Sequence, residues 1–229
     1  MLDEGLITFA RIKELEEWPV LGTFDTAHLR EIHRRIFQDL PHHHPGQFRR
    51  DAPAWAKSRE LESGEAYTVP YAPRRILESG LARVLNDLHG PYGFAGQSLD
   101  QFAARMAQLY GDLDYFHPFS EGNSRTLRTF TRQLAAAAGF VLDWSPSTAD
   151  GVTRDALYRA RDVAVMHRAF PGLDEQRAMA TDDRMEYETY WVLQTLQKKA
   201  LPLEALIRTY ATPLRAPQQS HGWDDELER

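Results

Sequence analysis

The sequence predicts a mainly helical domain with one small β-hairpin. Apolar residues recur at i, i+3 and i+4 through most of the long segments, and alternation with a period of two is nearly missing. The exception is the stretch 47–71, which has no helical stripe and carries Pro53, Gly64 and Pro70. With 229 residues, 42% of them hydrophobic, the chain is long and apolar enough for an ordinary core.

A first, loosely helical segment covers Leu6 to Glu17. Asp25 or Thr26 then caps a helix with Leu29, Ile32, Ile36 and Phe37 on one face, stopping before Pro41. Pro41 to Gly46 reads as a loop. Ser63-Gly64, between Arg59-Glu-Leu and Ala66-Tyr-Thr-Val69, is placed to turn the hairpin. Pro73 suits the first position of a helix whose face is Ile76, Leu77, Leu81, Val84, Leu85 and Leu88, and Gly90, Gly93 and Gly96 end it. Ser98 and Gln101 form a capping box for a helix burying Phe102, Met106, Leu109, Tyr110 and Leu113. Tyr115 to Asn123 is expected to be a loop feeding the next helix, which runs from about Ser124 through Leu127, Phe130, Thr131, Leu134 and Ala138 to a stop at Gly139. Further helices are expected at about Thr153–His167, Asp182–Lys199 and Pro202–Tyr210. The organisation is one domain over 1–211, with a core of about 24–170 and a helical extension over 171–211; the tail 212–229 is expected to be disordered.

Composition excludes several classes of function. There is no cysteine, hence no disulfide, thiolate zinc site, iron–sulfur cluster or cysteine nucleophile. A net charge of −6 disfavours direct nucleic-acid binding. The longest apolar run, Leu134 to Leu142, is less than half of the about 20 residues a membrane crossing needs, and a cytoplasmic chain is expected. His42-His43-His44 cannot all face one ion without strain, and the run reads as a solvated loop lining the cleft. Arg74-Arg75 and Arg159-x-Arg161 read as exposed helix faces. Tyr187, Tyr190 and Trp191 read as core or as a docking surface.

The chemistry is concentrated in His117-Pro-Phe-Ser-Glu-Gly-Asn-Ser-Arg125 with Arg128. Gly122 lets backbone approach a ligand, and the free amides of the following helix start attract an anion, with phosphate the natural guest. The Asn123 side chain can donate to a phosphate oxygen, and Arg125 and Arg128, three apart, can grip a polyphosphate. Glu121 beside such a site suits Mg²⁺. His117 has the right pKa range to take a proton from a hydroxyl. Taken singly, His117 is as well explained as a helix cap, Glu121 and Arg125 as a surface pair, and Gly122 as a turn; the set together points to a site.

This run resembles the signature of the Fic (filamentation induced by cAMP) family. Leu29-Arg-Glu-Ile-His33-Arg-Arg-Ile-Phe37, Gly46-Gln-Phe-Arg49 and Ala138-Gly-Phe140 are similar to further family features, so the likeness extends over roughly 24–145. The resemblance implies the all-α, mainly helical Fic fold with the hairpin as its flap, which registers a target segment by strand addition. It implies a Mg²⁺-dependent protein adenylyltransferase that moves AMP from ATP to a Ser, Thr or Tyr hydroxyl of a target protein. In that scheme His117 is the base, Glu121 holds Mg²⁺, and Gly122, Asn123, Ser124, Arg125 and Arg128 bind the nucleotide phosphates, Arg125 at the β- and Arg128 at the γ-phosphate. Phe119 anchors the loop in the core. In toxin-like relatives the targets are type II topoisomerases.

Ser124 stands where the family usually has glycine, so a reduced rate or an altered nucleotide preference is the expectation. The family's inhibitory motif, Ser/Thr-x-x-x-Glu-Gly/Asn, has no good match; the nearest is Ser58-Arg-Glu-Leu-Glu62-Ser63. That resembles toxin-like members silenced by a separate small antitoxin chain, or effector-like members delivered into another cell. The competing reading is an inactive or weakly active nucleotide-binding module acting through protein contacts.

Overall fold

The computed structural model describes residues 3–50 and 55–214. Two helices open the chain, α1 (Glu4–Glu17) and α2 (Thr26–Phe37), each N-capped by an aspartate, Asp3 and Asp25. A 3₁₀ turn, Pro41–His43, leads toward the hairpin strands β1 (Trp55–Glu60) and β2 (Ala66–Tyr71). Then come α3 (Arg74–Leu88), α4 (Leu99–Phe116), α5 (Asn123–Ala137), the short strand β3 (Phe140–Leu142) and α6 (Gly151–Ala169). The described chain closes with α7 (Glu175–Ala180), α8 (Arg184–Leu196), α9 (Leu203–Tyr210) and strand β4 (Ala211–Pro213).

The core is built on α4. The expected capping box at Ser98 and Gln101 is present. Phe102, Met106, Tyr110 and Leu113 are fully buried, and α4 packs against α3, α5, α6 and α9. α2 lies on α5, and α1 covers α2.

The hairpin is where the sequence places it, with Gly64 at φ +85° in the turn and Trp55 facing Tyr71 at the far end of the register. Polar contacts fasten it to α6. Asp162 accepts two bonds from Arg59, at 2.8 and 3.0 Å, and one from the Tyr67 hydroxyl at 2.9 Å. Asp155 accepts the turn N–H groups of Glu62 and Ser63 at 3.0 Å. A flap of two strands is marginal alone, and these carboxylates fix where its inner face sits.

Several expectations change. Phe140–Leu142 pairs antiparallel with Ala211–Pro213, so a second small sheet exists, and Thr212 and Pro213 lie in a strand rather than in a tail. Residues 215–229, which hold the rest of that expected tail, lie outside the described residues. α4 continues through Tyr115 and Phe116, shortening the loop, because both rings are buried by one more helical turn. α7 was not expected. Ile76 is exposed where a core position was expected. Tyr190 is buried, whereas Tyr187 and Trp191 are exposed beside β2. No helix among the described residues is long and apolar enough to cross a membrane.

Candidate active site

The signature is the connection between α4 and α5. His117 ends α4 in the left-handed conformation, φ +42°, with its N–H on the Asp114 carbonyl at 3.0 Å. This costs a non-glycine residue about 1–2 kcal/mol and is held by its surroundings: the carbonyl accepts from Arg49 Nε at 2.9 Å. Arg49, 1% exposed, also donates to the carbonyls of Ala72 and Phe116, and its N–H bonds the Pro118 carbonyl at 2.9 Å. One buried guanidinium thus ties together the end of α4, the loop and the residue after β2.

The imidazole of His117 is buried, its ring 4.1 Å from that of Tyr71. Its Nδ1 lies 3.7 Å from Asp114 Oδ1, too far for a hydrogen bond, so Asp114 acts on it through charge. Burial pushes the His117 pKa below the ordinary 6.5, and the Lys57 and Arg161 charges push the same way; Asp114 opposes them without reversing the direction. His117 is therefore neutral at neutral pH.

Asp114 is held in turn by Arg161 of α6 through two bonds from Nη2, at 2.8 and 3.0 Å, and one from Nε at 3.0 Å. Burial would raise the Asp114 carboxyl, but the Arg161 charge, aided by His117, holds it well below the usual 3.8. Arg161 is 2% exposed, which corrects the expectation of a solvated face.

Phe119 is fully buried, stacked on His33 with ring centroids 3.8 Å apart and packed against Phe48. His33 is itself a support. Its Nδ1 accepts the Gly46 N–H at 2.9 Å, so Nε2 carries the hydrogen and donates to the Glu121 carbonyl at 3.1 Å. Burial above all pushes this imidazole down to about 4, which keeps it neutral in that role.

Asn123 has a second task inside the loop. Its Oδ1 accepts the Phe119 N–H at 2.9 Å and its Nδ2 donates to the Phe119 carbonyl at 2.6 Å, so the side chain staples the loop. The group that Asn123 offers to an anion is its backbone N–H at the start of α5. Gly122 precedes it at φ +78°, and a Cβ there would lie 2.1 Å from Phe37 Cζ. Gly122→Ala is therefore expected to lose about 1–2 kcal/mol to the left-handed backbone and about 1–3 kcal/mol to overpacking, read by chemical denaturation.

Glu121 is half exposed. Its Oε1 accepts from the Gly122 N–H at 2.9 Å and lies 3.4 Å from Arg125 Nη2. Partial burial favours the acid form, but the Gly122 N–H and the Lys57 and Arg125 charges outweigh it, so the carboxyl titrates below 4.5. A single ionised carboxylate beside a helix start fits Mg²⁺, which takes one or two carboxylates and fills its shell with water and phosphate oxygens. Arg125 also donates to Thr8 Oγ1 at 3.0 Å and lies over the Phe37 ring at 4.8 Å. Ser124 Oγ accepts from Arg161 Nη1 at 3.2 Å.

Arg128 stands at the site without a paired carboxylate among the described residues. Its Nε donates to the Ser124 carbonyl at 3.3 Å. Burial lowers its pKa, and the neighbouring Arg161 and Arg125 charges lower it further. A partly buried guanidinium pressed by two others beside a helix N-terminus is a place for an anion.

Residues 23–135 match the model of the Fic/DOC family. The chain belongs to the Fic/DOC family. It is 30% identical over 157 residues to the protein adenylyltransferase VbhT of Bartonella schoenbuchensis, an alignment covering 69% of this chain and 29% of VbhT. It is 28% identical over 140 residues to the probable protein adenylyltransferase Fic of Escherichia coli K12, covering 61% of each. The chain thus spans less than two thirds of either relative. Its fold is that of the BepC effector protein of Bartonella tribocorum with bound AMPPNP, at TM-score 0.62 and 20% identity over 93% of this chain and 86% of that one. A Bartonella quintana Fic domain with bound ADP superposes at TM-score 0.59 and 23% identity, over 93% and 84%.

The residues that support this site, His33, Arg49, Asp114 and Arg161, all lie outside the contiguous signature run. His33 and Arg49 lie in segments that resemble the family; Asp114 and Arg161 gave no signal. The nearest match to the inhibitory motif lies in β1 and the hairpin turn, not in a helix.

Proposed function

We propose that this Fic domain is a protein adenylyltransferase, moving AMP from ATP to a hydroxyl side chain of a target protein. The observation that carries it is Arg128, a positive charge in the second turn of α5 with no acidic partner among the described residues, following the connection that holds a neutral, buried His117. The names of VbhT and the Escherichia coli relative support the activity, and the AMPPNP and ADP bound by the structural neighbours support an adenine nucleotide.

The target hydroxyl oxygen forms a bond to the α-phosphorus, the bond from that phosphorus to the β-phosphate bridging oxygen breaks, and pyrophosphate leaves. The hydroxyl proton passes to His117. Nδ1 faces Asp114, so Nε2 is the nitrogen that receives it. The α5 N–H groups, Arg125 and Arg128 hold the phosphates, and the chemistry rests on positioning and charge. Glu121 would hold Mg²⁺, which neutralises phosphate charge when bound. The hairpin, fixed on α6, aligns the target segment.

The test is transfer of label from α-labelled ATP, UTP, GTP and CTP to proteins of a cell lysate by the purified chain. Label from ATP alone is expected. Label from another nucleotide would correct the base and keep the transfer; label from none, with ATP still bound, would replace this reading by that of a binding module. Because the Ser124 hydroxyl is already bonded to Arg161, Ser124→Gly is expected to change the transfer rate less than about threefold, under about 1 kcal/mol. A tenfold rise would mean that the side chain obstructs the phosphates.

A further inference from the structure

The three consecutive histidines do not share one fate. Pro41–His43 is a 3₁₀ turn, and His44 closes it in the left-handed conformation, φ +51°, with its N–H on the Pro41 carbonyl at 3.0 Å. The bend sets the rings of His42 and His43 side by side, centroids 4.2 Å apart, and brings both to Glu4 in the first turn of α1. His42 Nε2 lies 2.8 Å from Glu4 Oε1, and His43 Nε2 lies 3.0 Å from Glu4 Oε2. The strain argument against three adjacent imidazoles does not apply to two of them joined by a carboxylate from another element.

One donor atom from each of the three residues lies within 4.8 Å of the others. Donors at about 2.0–2.2 Å from one ion stand roughly 3–4 Å from each other, so small side-chain rotations close the set. Two imidazoles and a carboxylate are the donors of Zn²⁺ and its first-row neighbours, whereas Mg²⁺ prefers oxygen alone. This makes the cluster chemically distinct from the corner at Glu121.

The backbone under the cluster is held independently of any ion. Pro41 fixes the start of the turn. His43 packs edge-on against the buried Phe37, ring centroids 5.3 Å apart, and α1 is tied to the residues after α2 by the Arg11–Asp39 pair at 2.6 Å. We propose that Glu4, His42 and His43 form a binding site for Zn²⁺ or a similar imidazole-preferring divalent ion, with water in the open positions, clamping α1 to the turn after α2. The clamp borders the signature loop on both sides: His43 packs on Phe37, the last residue of α2, which fills the space under Gly122, and Thr8 of α1 accepts from Arg125.

The experiment is calorimetric titration of Zn²⁺ into the chelator-treated, tag-free chain, alongside His42→Ala, Glu4→Gln and His44→Ala. One ion per chain is expected, with binding weakened at least about tenfold in His42→Ala and in Glu4→Gln and unchanged in His44→Ala. Zn²⁺ is also expected to raise the thermal midpoint of the parent and not that of His42→Ala. No binding, half an ion per chain, an equal loss in His44→Ala, or indifference to Glu4→Gln would each overturn the site. Glu4 and His42 are exposed and take no part in the proposed transfer, so label transfer by these variants reports on that reading separately.

Discussion

Arg161→Leu is expected to lower the stability of the fold by about 3–5 kcal/mol, the range for breaking a buried ion pair from one side. Asp114 is fully buried and receives three bonds from Arg161, so the substitution leaves a carboxylate without water or counter-charge. The double variant Arg161→Leu with Asp114→Leu is expected to recover most of the loss, since two apolar residues can replace a buried pair at little net cost. Denaturant titration of the three proteins measures this, and a double variant as unstable as the single one would mean that Arg161 acts through Ser124 or packing instead. The pH dependence has a definite sign. The folded Asp114 pKa is depressed, so its contribution is present above the unfolded value of 3.8 and is lost as pH falls below it.

The same pair marks the boundary of what could be read from the residues alone. Helices α2 to α6 were legible because each repeats apolar residues every three or four positions over at least three turns, and the flap was legible because Ser63-Gly64 interrupts a stretch without that repeat. Strands β3 and β4 have three residues each and pair across about seventy positions, and α7 has six residues; neither carries a local period. The signature run was legible because its residues are contiguous. Its supports come from four separate elements: His33 from α2, Arg49 from the loop before β1, Asp114 from α4 and Arg161 from α6. Asp114 and Arg161 look like ordinary surface residues until tertiary packing buries both. The bonds from the Asn123 side chain to Phe119 were not legible for a related reason: whether an amide also serves the backbone depends on the loop closing on itself.

His117→Asn is expected to cut label transfer by about 10²–10⁴, the range for removing a general base, while leaving ATP binding in place. Asparagine is the informative replacement: the position is left-handed at φ +42°, which asparagine tolerates better than alanine, and the Arg49 bond is to the His117 carbonyl, which any residue provides. A loss of transfer without a loss of nucleotide affinity separates proton removal from phosphate gripping, which the proposed scheme gives to the α5 amides, Arg125 and Arg128. The parent's pH profile tests the same group from the other side. The base works only unprotonated, and burial places its pKa below 6.5, so transfer should be on its plateau at pH 7 and fall to half at a pH below 6.5. A half-point above 6.5 would mean that the Asp114 charge prevails over burial. Wild-type transfer by His117→Asn would remove His117 from the chemistry and leave the hydroxyl proton to solvent.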